Sequence, residues 1–382
     1  FDKLIAERRQ LEMDGVAVFK AKDKFFPGKV ALGLSYVVLN SPPQSERQRK
    51  YLAEYGNIAA LTVDMDNDTW GIYYYLLALR KLKDAGLSDQ AIPAPILAKL
   101  KTQLDWRRFV NQTDYTLINL PTNYYGVAFG VARLRALLGW EEDAASNILL
   151  QKTLEHYKRY SGEFGFSDET DGEGRFDRSS ILLVAEICQR LVETGLPVPA
   201  ELKKLLRKAA DVALSVSAAS GEGFSFGRSI GPYGETSLLE IFSVAAYLDV
   251  LTPEEKDFAH AISMRIVDRY LRFWFDPAMH SVDMWNQGRR TDAYRGKHRI
   301  LGENFSLLHQ LIATSQLWAK AGYGNKTEKA GLAAWLEKTQ PRYHLTWFAR
   351  GEYETPPTIL HDPKRAPPCC GCVKSSACSP TC

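Results

Sequence analysis

Apolar residues recur along the chain at helical spacing. Ile72, Tyr75, Leu76, Leu79 and Leu82 fall at i, i+3, i+4, i+7 and i+10, which places them on one face of a helix that Gly86 closes. The pattern returns in Val127, Val131, Leu134 and Leu138 before Gly139, and in Ile181, Val184, Ala185, Cys188, Leu191 and Val192 before Gly195. A fourth copy runs through Leu239, Phe242, Ala246 and Leu248 to a stop at Leu251-Thr252-Pro253. Second helices are expected between these, over roughly 89–106, 143–160, 200–218 and 253–273, with further helices in 37–61, 301–321 and 327–339. Two helices in each period of about 55 residues make an αα-hairpin repeat. Six or seven such pairs predict an all-α chain, either an α/α toroid closed as a barrel or an open solenoid. Strand signals are sparse.

Polar, aromatic and glycine-rich segments precede the first helix of each pair. They are Asp64-Met65-Asp66-Asn67-Asp68-Thr69-Trp70, Pro121-Thr122-Asn123-Tyr124-Tyr125, Gly174-Arg175-Phe176-Asp177-Arg178, and the run from Gly227-Arg228-Ser229 to Tyr233-Gly234-Glu235. Residues that share the phase of the repeat emerge at the same end of stacked hairpins, where they can line one cleft. A longer segment breaks the period: Trp285 to Arg299 holds Arg289, Arg290, Arg295, Lys297 and Arg299 around Tyr294 and His298. Long insertions of this kind tend to be functional. The bland reading of the loop Asn and Asp residues is helix capping, and Asp68, Asn123 and Asp177 all stand where an N-cap would. His156, His260, His280 and His344 lack clustered partners, which favours packing or surface roles.

The 382 residues fit two ordinary domains or one large repeat architecture, and 45% apolar with 24% charged residues is a globular composition. Lys and Arg number 48 against 45 Asp and Glu, a net charge of +3, too even for nucleic-acid binding by bulk charge. No apolar run is long enough to span a membrane. The chain begins at Phe1 without Met, as a mature product relieved of its leader would. Four sequons, at Asn67, Asn111, Asn304 and Asn325, are compatible with secretion. Cys188 reads as a small core residue. Cys369, Cys370, Cys372, Cys378 and Cys382 crowd the end of the chain and read as a disulfide-knotted tail, with a metal knuckle or an appended tail as alternatives. The division expected is a toroid domain over 1–360 and a Cys-rich tail over 361–382. Neither a zinc motif, a P-loop nor a nucleophile elbow occurs in the body, so no metal and no cofactor is expected.

A cleft of Arg, Tyr, Trp, Asn and acids suits two chemistries. β-Elimination on a uronic-acid polymer needs cationic or neutral donors at the carboxylate beside C5, a Tyr or His to take the C5 proton, and a donor for the O4 leaving group. Arg forks and aromatic faces would hold flanking uronates. Glycoside hydrolysis needs two carboxyl groups, for which Asp64, Asp66, Asp68, Glu173, Asp177 and Glu235 are candidates. Its sharper form is hydrolysis of unsaturated uronides. A third reading is a non-catalytic solenoid that binds carbohydrate or protein. The basic insert favours an anionic polysaccharide as partner and elimination as the reaction.

The segments LPTNYYGVAFGVARLRALLGW, GRFDRSS, GFSFGRSIGPYGETSLLE and GRRTDAYRGKHRILGENFSLL together resemble the polysaccharide lyases of family 38, over about 50–340. The resemblance implies an α/α barrel with a cleft at one end, acting on glucuronan or alginate-type polyuronates. It also implies a neutralising Asn, an Arg, a His and a Tyr acid/base. Asn123 matches the first, Tyr294 the last, with Arg289 or Arg290 upstream. Tyr233 stands where a His is expected and His298 is the only His of the insert, so Tyr233, Tyr294 and His298 share the proton-transfer candidacy. Arg175, Arg178, Arg228 and Arg295 are candidates for neighbouring uronates, with Trp70, Tyr124 and Trp285 for stacking. A secreted, metal-independent polyuronate lyase is the expectation.

Overall fold

The computed structural model describes residues 1–161, 167–170, 177–224, 229–287, 296–340, 344–347, 358–361 and 370–371, the last three stretches as strands. The fold is all-α in its body, built of helical hairpins as the periodicity predicts. In chain order the helices are α1 (Asp2–Glu7), α2 (Phe26–Leu39), α3 (Glu46–Thr62), α4 (Thr69–Asp84), α5 (Ser88–Ala91), α6 (Ala94–Gln103) and α7 (Tyr125–Leu138). They continue as α8 (Ala144–Tyr160), α9 (Arg178–Glu193), α10 (Ala200–Val216), α11 (Pro232–Tyr247), α12 (Pro253–Arg269), α13 (Ile300–Lys320) and α14 (Leu332–Thr339). His344–Trp347, Thr358–His361 and Cys370–Gly371 pair as an antiparallel sheet. No described helix is long and apolar enough to cross a membrane.

The chain divides into two compact units. One gathers Phe1–Leu154 with Pro277–Val282 and the described residues that follow the insert, up to His309; the other gathers Glu155–Asp276 with the described part of Asp283–Ala293 and the chain from Gln310 onward. Each unit carries two layers. In the first, α2 packs on α4 and α4 on α7, so the first helices of successive hairpins stand side by side, and α3 covers α2. In the second, α9 packs on α11, with α10 against both and α12 against α11.

The sequence of each helix explains its layer. α10 buries Leu202, Leu206, Ala209, Ala210, Val212, Ala213 and Val216 and turns its lysines outward, an outer helix with one apolar face. α11 is buried without a break from Pro232 to Ala246, and α2 nearly so, as helices surrounded on all sides must be. Inner helices approach closely where side chains vanish. A methyl group on Gly28 of α2 would lie 1.8 Å from the carbonyl oxygen of Gly71 in α4, so neither position accepts a larger residue without moving a backbone.

The hairpin period is written in the helix ends. Gly86, Gly139 and Gly195 have φ of 70°, 78° and 74°, and each closes its helix with a pair of backbone bonds, as in Gly139 N to Ala136 O and Trp140 N to Arg135 O, both 2.9 Å. The fourth copy is made by Asp249 at φ 61°, through Asp249 N to Ala246 O at 3.3 Å and Val250 N to Ala245 O at 3.0 Å. Aspartate tolerates this left-handed region better than most side chains do. α11 ends at Tyr247, short of the expected stop at Leu251-Thr252-Pro253, and α12 opens at Pro253, where the second helix is expected, with Thr252 and Glu255 forming a capping box.

Two further helices differ from expectation. The span 89–106 is broken into α5 and α6, because Pro93 has no N–H and its ring excludes a preceding helical turn. α2 begins eleven residues before the predicted 37–61 region; being apolar on every face, it carries no stripe for periodicity to detect. Cys188 is fully buried, and burial pushes its thiol up to about 12, in keeping with a core residue. The tail cysteines lie outside the residues whose side chains are described.

Candidate functional site

The first turns of α9 and α11 bring three of the sequence candidates together in the second unit. Asp177 caps α9: its Oδ1 accepts from Ser179 N at 2.8 Å, and its own N–H donates to Ser180 Oγ at 3.0 Å. The bland reading of Asp177 therefore holds. Arg178, the next residue, is 7% exposed, with its guanidinium carbon 5.5 Å from the centre of the Tyr233 ring. Its Nε and Nη1 are buried without a hydrogen-bond partner. Tyr233 is 3% exposed and stands second in α11, after a lead in which Ser229 and Gly231 take φ of 55° and 71°. Pro232 at the first helical position fixes the entry of the chain.

A buried, unpaired guanidinium is unusual, since most buried polar groups find partners. Nor does the carboxyl that responds to it supply one. Glu240 of α11 is pushed well above the usual carboxylate range by burial and by Glu186, with Arg190 and Arg178 opposing the rise. Arg178 is thus a cation with open donors at the N-terminal ends of two long helices, whose own fields favour an anion.

Beside Tyr233, Glu235 anchors the same turn. Its Oε1 accepts from Arg269 Nε at 2.8 Å and its Oε2 from Trp274 Nε1 at 2.8 Å. Burial pushes this carboxyl up to about 7; Arg269 and Trp274 pull it down and Glu222 adds a little. Trp285, half-buried, belongs to the same unit. Arg175, Arg228, Arg289, Arg290, Tyr294 and Arg295 lie outside the described residues, as does Glu173.

Trp70, Asn123, Tyr124 and His298 belong to the first unit. Asp68 caps α4, accepting from Thr69 N at 2.8 Å and from Lys24 Nζ at 3.0 Å. Asn123 does not cap: it sits in a single tight turn, Thr122–Tyr124, ahead of α7, and its Oδ1 is buried without a hydrogen-bond partner. Trp70 is half-buried, its ring 5.9 Å from Tyr74 and 6.1 Å from Tyr73, and Tyr124 is half-buried. His298 is exposed. Of the basic insert, Lys297 pairs with Asp14, and Arg299 is buried against Glu303 at 2.9 Å and Asp23 at 3.5 Å. Those two cations are structural.

Three arrangements had no counterpart in the sequence reading. They are the Glu235–Arg269–Trp274 junction, the Lys29–Asp23–Arg299–Glu303 cluster, and Tyr36 Oη at 2.8 Å from His309 Nδ1 with Tyr74 edge-on to the same imidazole. Each joins residues far apart in the chain, a relation that no local spacing encodes. His156 and His260 are buried and His280 is exposed, in keeping with packing and surface roles. Among the described residues no three His, Cys, Asp or Glu side chains gather as metal ligands would.

No protein-family model matches this chain, and no curated protein matches its sequence. Among solved structures it is similar to a glycosyl hydrolase family 88 protein from Bacteroides vulgatus, at 10% identity and a TM-score of 0.47, over 77% of this chain and 91% of that one. A likeness of that degree leaves the functional reading to the chain's own residues.

Proposed function

We propose that this chain is a carbohydrate-active enzyme that cleaves uronic-acid polysaccharide, glucuronan first among them, by β-elimination. The observation that carries the proposal is Arg178: a buried guanidinium with open donors, seated on a tyrosine ring at the N-terminal ends of two inner helices. A uronate carboxylate supplies what that cation lacks, two oxygens able to take a forked pair of N–H bonds. Elimination then asks for a base at C5. The C–H electrons form the C4–C5 double bond while O4 departs and takes up a proton, and a phenol can serve in such transfers. Tyr233, held against Arg178, is the described phenol at this place, and the motif that carries Tyr294 proposes the same role for it. Charge neutralisation by Asn123 and Arg290, a contribution from His298, and secretion rest likewise on the motifs in which they were read.

A second reading, hydrolysis of uronic-acid glycans or of unsaturated uronides, is favoured by one observation, the Glu235 carboxyl poised at about 7, where a general acid is useful. The experiment is to incubate the protein with glucuronan, alginate, their unsaturated oligosaccharides and a neutral glucan while following ultraviolet absorbance and reducing ends. Elimination predicts absorbance rising with reducing ends on the polyuronates. Absorbance lost from the unsaturated oligosaccharides, or reducing ends without absorbance, would establish hydrolysis instead. Silence on all of them would end the enzymatic proposal.

A further inference from the structure

We propose that Glu235 is a positioning residue, a buried junction that holds in register the segments carrying the substrate-binding side chains of the site. The inference rests on the carbohydrate-cleaving reading above for its kinetic consequence, though not for its structural one. Three segments meet at this residue, two through its carboxyl and one through its backbone. The first is the opening turn of α11, which carries Tyr233 two residues earlier. The second is the loop before Arg228: Phe224 N donates to Gly234 O at 3.3 Å, and a methyl group on Gly223 would lie 2.4 Å from the Glu235 Cα, so the loop is pressed on this turn. The third follows α12, where a wide helical turn, Tyr270–Trp274, delivers the Trp274 indole to Oε2. From there Trp274 O accepts from Asp283 N at 2.7 Å and Phe273 O from Gln287 Nε2 at 3.4 Å, which ties down the stretch that carries Trp285 and leads into the basic insert.

The same geometry weighs against the role of acid that the hydrolytic reading would give Glu235, and so favours elimination. Both of its oxygens are engaged in 2.8 Å bonds, and the residue is 4% exposed. Arg269, which receives the other end of the junction, also faces Glu222 at 3.7 Å and lies over the Phe273 ring, its guanidinium carbon 4.5 Å from the centroid. Glu235 thus works through its neighbours. A carboxylate can accept from two donors at once, whereas a glutamine offers one oxygen and turns an NH2 toward the second donor.

The test uses the full chain with Glu235→Gln, Trp274→Phe and the double variant. Backbone hydrogen exchange at pH 8 is expected to rise in 221–224 and 274–287 for Glu235→Gln while α9 and α10 stay protected. Adding Trp274→Phe removes the donor that faces the amide, and should bring exchange in 274–287 down to the level of Trp274→Phe alone. With substrate, Glu235→Gln should raise KM at least about tenfold with kcat within about threefold, the pattern of lost binding geometry. Unchanged exchange in both segments would overturn the inference, as would a collapse of kcat at constant KM, which would make Glu235 part of the chemistry. Should Glu235→Gln fail to fold, Trp274→Phe alone must still loosen 274–287, and its failure to do so would overturn the junction. If no uronic-acid glycan is turned over, the exchange readout decides this inference while the functional proposal falls by itself.

Discussion

Two buried arginines show how differently this fold treats a cation. Arg299 lies in a cluster in which Lys29 and Arg299 meet Glu303 at 3.1 and 2.9 Å and Asp23 at 3.7 and 3.5 Å, two positive charges against two negative ones with almost no exposure. Arg178 is as deeply buried, yet its Nε and Nη1 have no hydrogen-bond partner, and burial pushes the nearby Glu240 carboxyl well above its usual range. The first arrangement sets its cations against acids of its own and holds the foot of α13 to α2, although Arg299 Nε and Asp23 Oδ2 make no hydrogen bond. The second leaves two donors open, where the proposed uronate carboxylate would sit. Burial alone therefore does not separate the two arginines; the carboxylates set against Arg299 do.

Removing the shared acid should be the harshest way to probe the contrast. Glu303→Ala leaves Lys29 and Arg299 facing a single carboxylate, and a denaturant titration should show a loss of about 3–5 kcal/mol. Next comes the pH dependence that Glu235 imposes. Its folded value of about 7 stands above the unfolded value near 4.5, so the proton is held more tightly in the folded chain. That contribution is fully present below the unfolded value and is lost as pH rises through about 7, a decline of at most about 3 kcal/mol. Urea melts at pH 5 and pH 8 should reveal it, and Glu235→Gln should flatten it. Asp177→Ala should cost about 1 kcal/mol through loss of the cap on α9, without changing which sugars bind. Smallest of all, Arg178→Met should shift stability by less than about 0.5 kcal/mol or raise it slightly, since it removes a desolvated charge that no internal partner compensates. A large loss there would mean that Arg178, like Arg299, belongs to the scaffold.

Much of the fold was legible because it is written locally. Gly86, Gly139 and Gly195 punctuate helices whose apolar stripes are visible by eye, and the common phase of the loops gave the hairpin repeat. α2 escaped because a helix buried all round has no polar face to contrast with its apolar one. Asp249 escaped because the left-handed position it fills is usually glycine. At the site, the residue types were readable but not their duties. Asp68, Asn123 and Asp177 look alike in sequence, and only coordinates separate the two caps from the asparagine with an open Oδ1. Likewise Arg178 and Arg299 both stood in basic motifs, and their difference lies in the acids set against Arg299: Glu303 one turn on, and Asp23 from the distant segment before α2. Pairing across dozens or hundreds of residues leaves no trace in spacing.

The most direct test of the Arg178 assignment is its preference for a charged sugar. Binding of a saturated glucuronan oligosaccharide and of its carboxyl-reduced, neutral counterpart should be measured calorimetrically for the unaltered chain and for Arg178→Met. The unaltered chain should favour the acidic ligand by roughly 1.5–3 kcal/mol, the worth of hydrogen bonds to a charged group, and Arg178→Met should bind the two nearly alike while folding normally. An acidic preference that survives in Arg178→Met, or that is missing from the unaltered chain, would contradict the account.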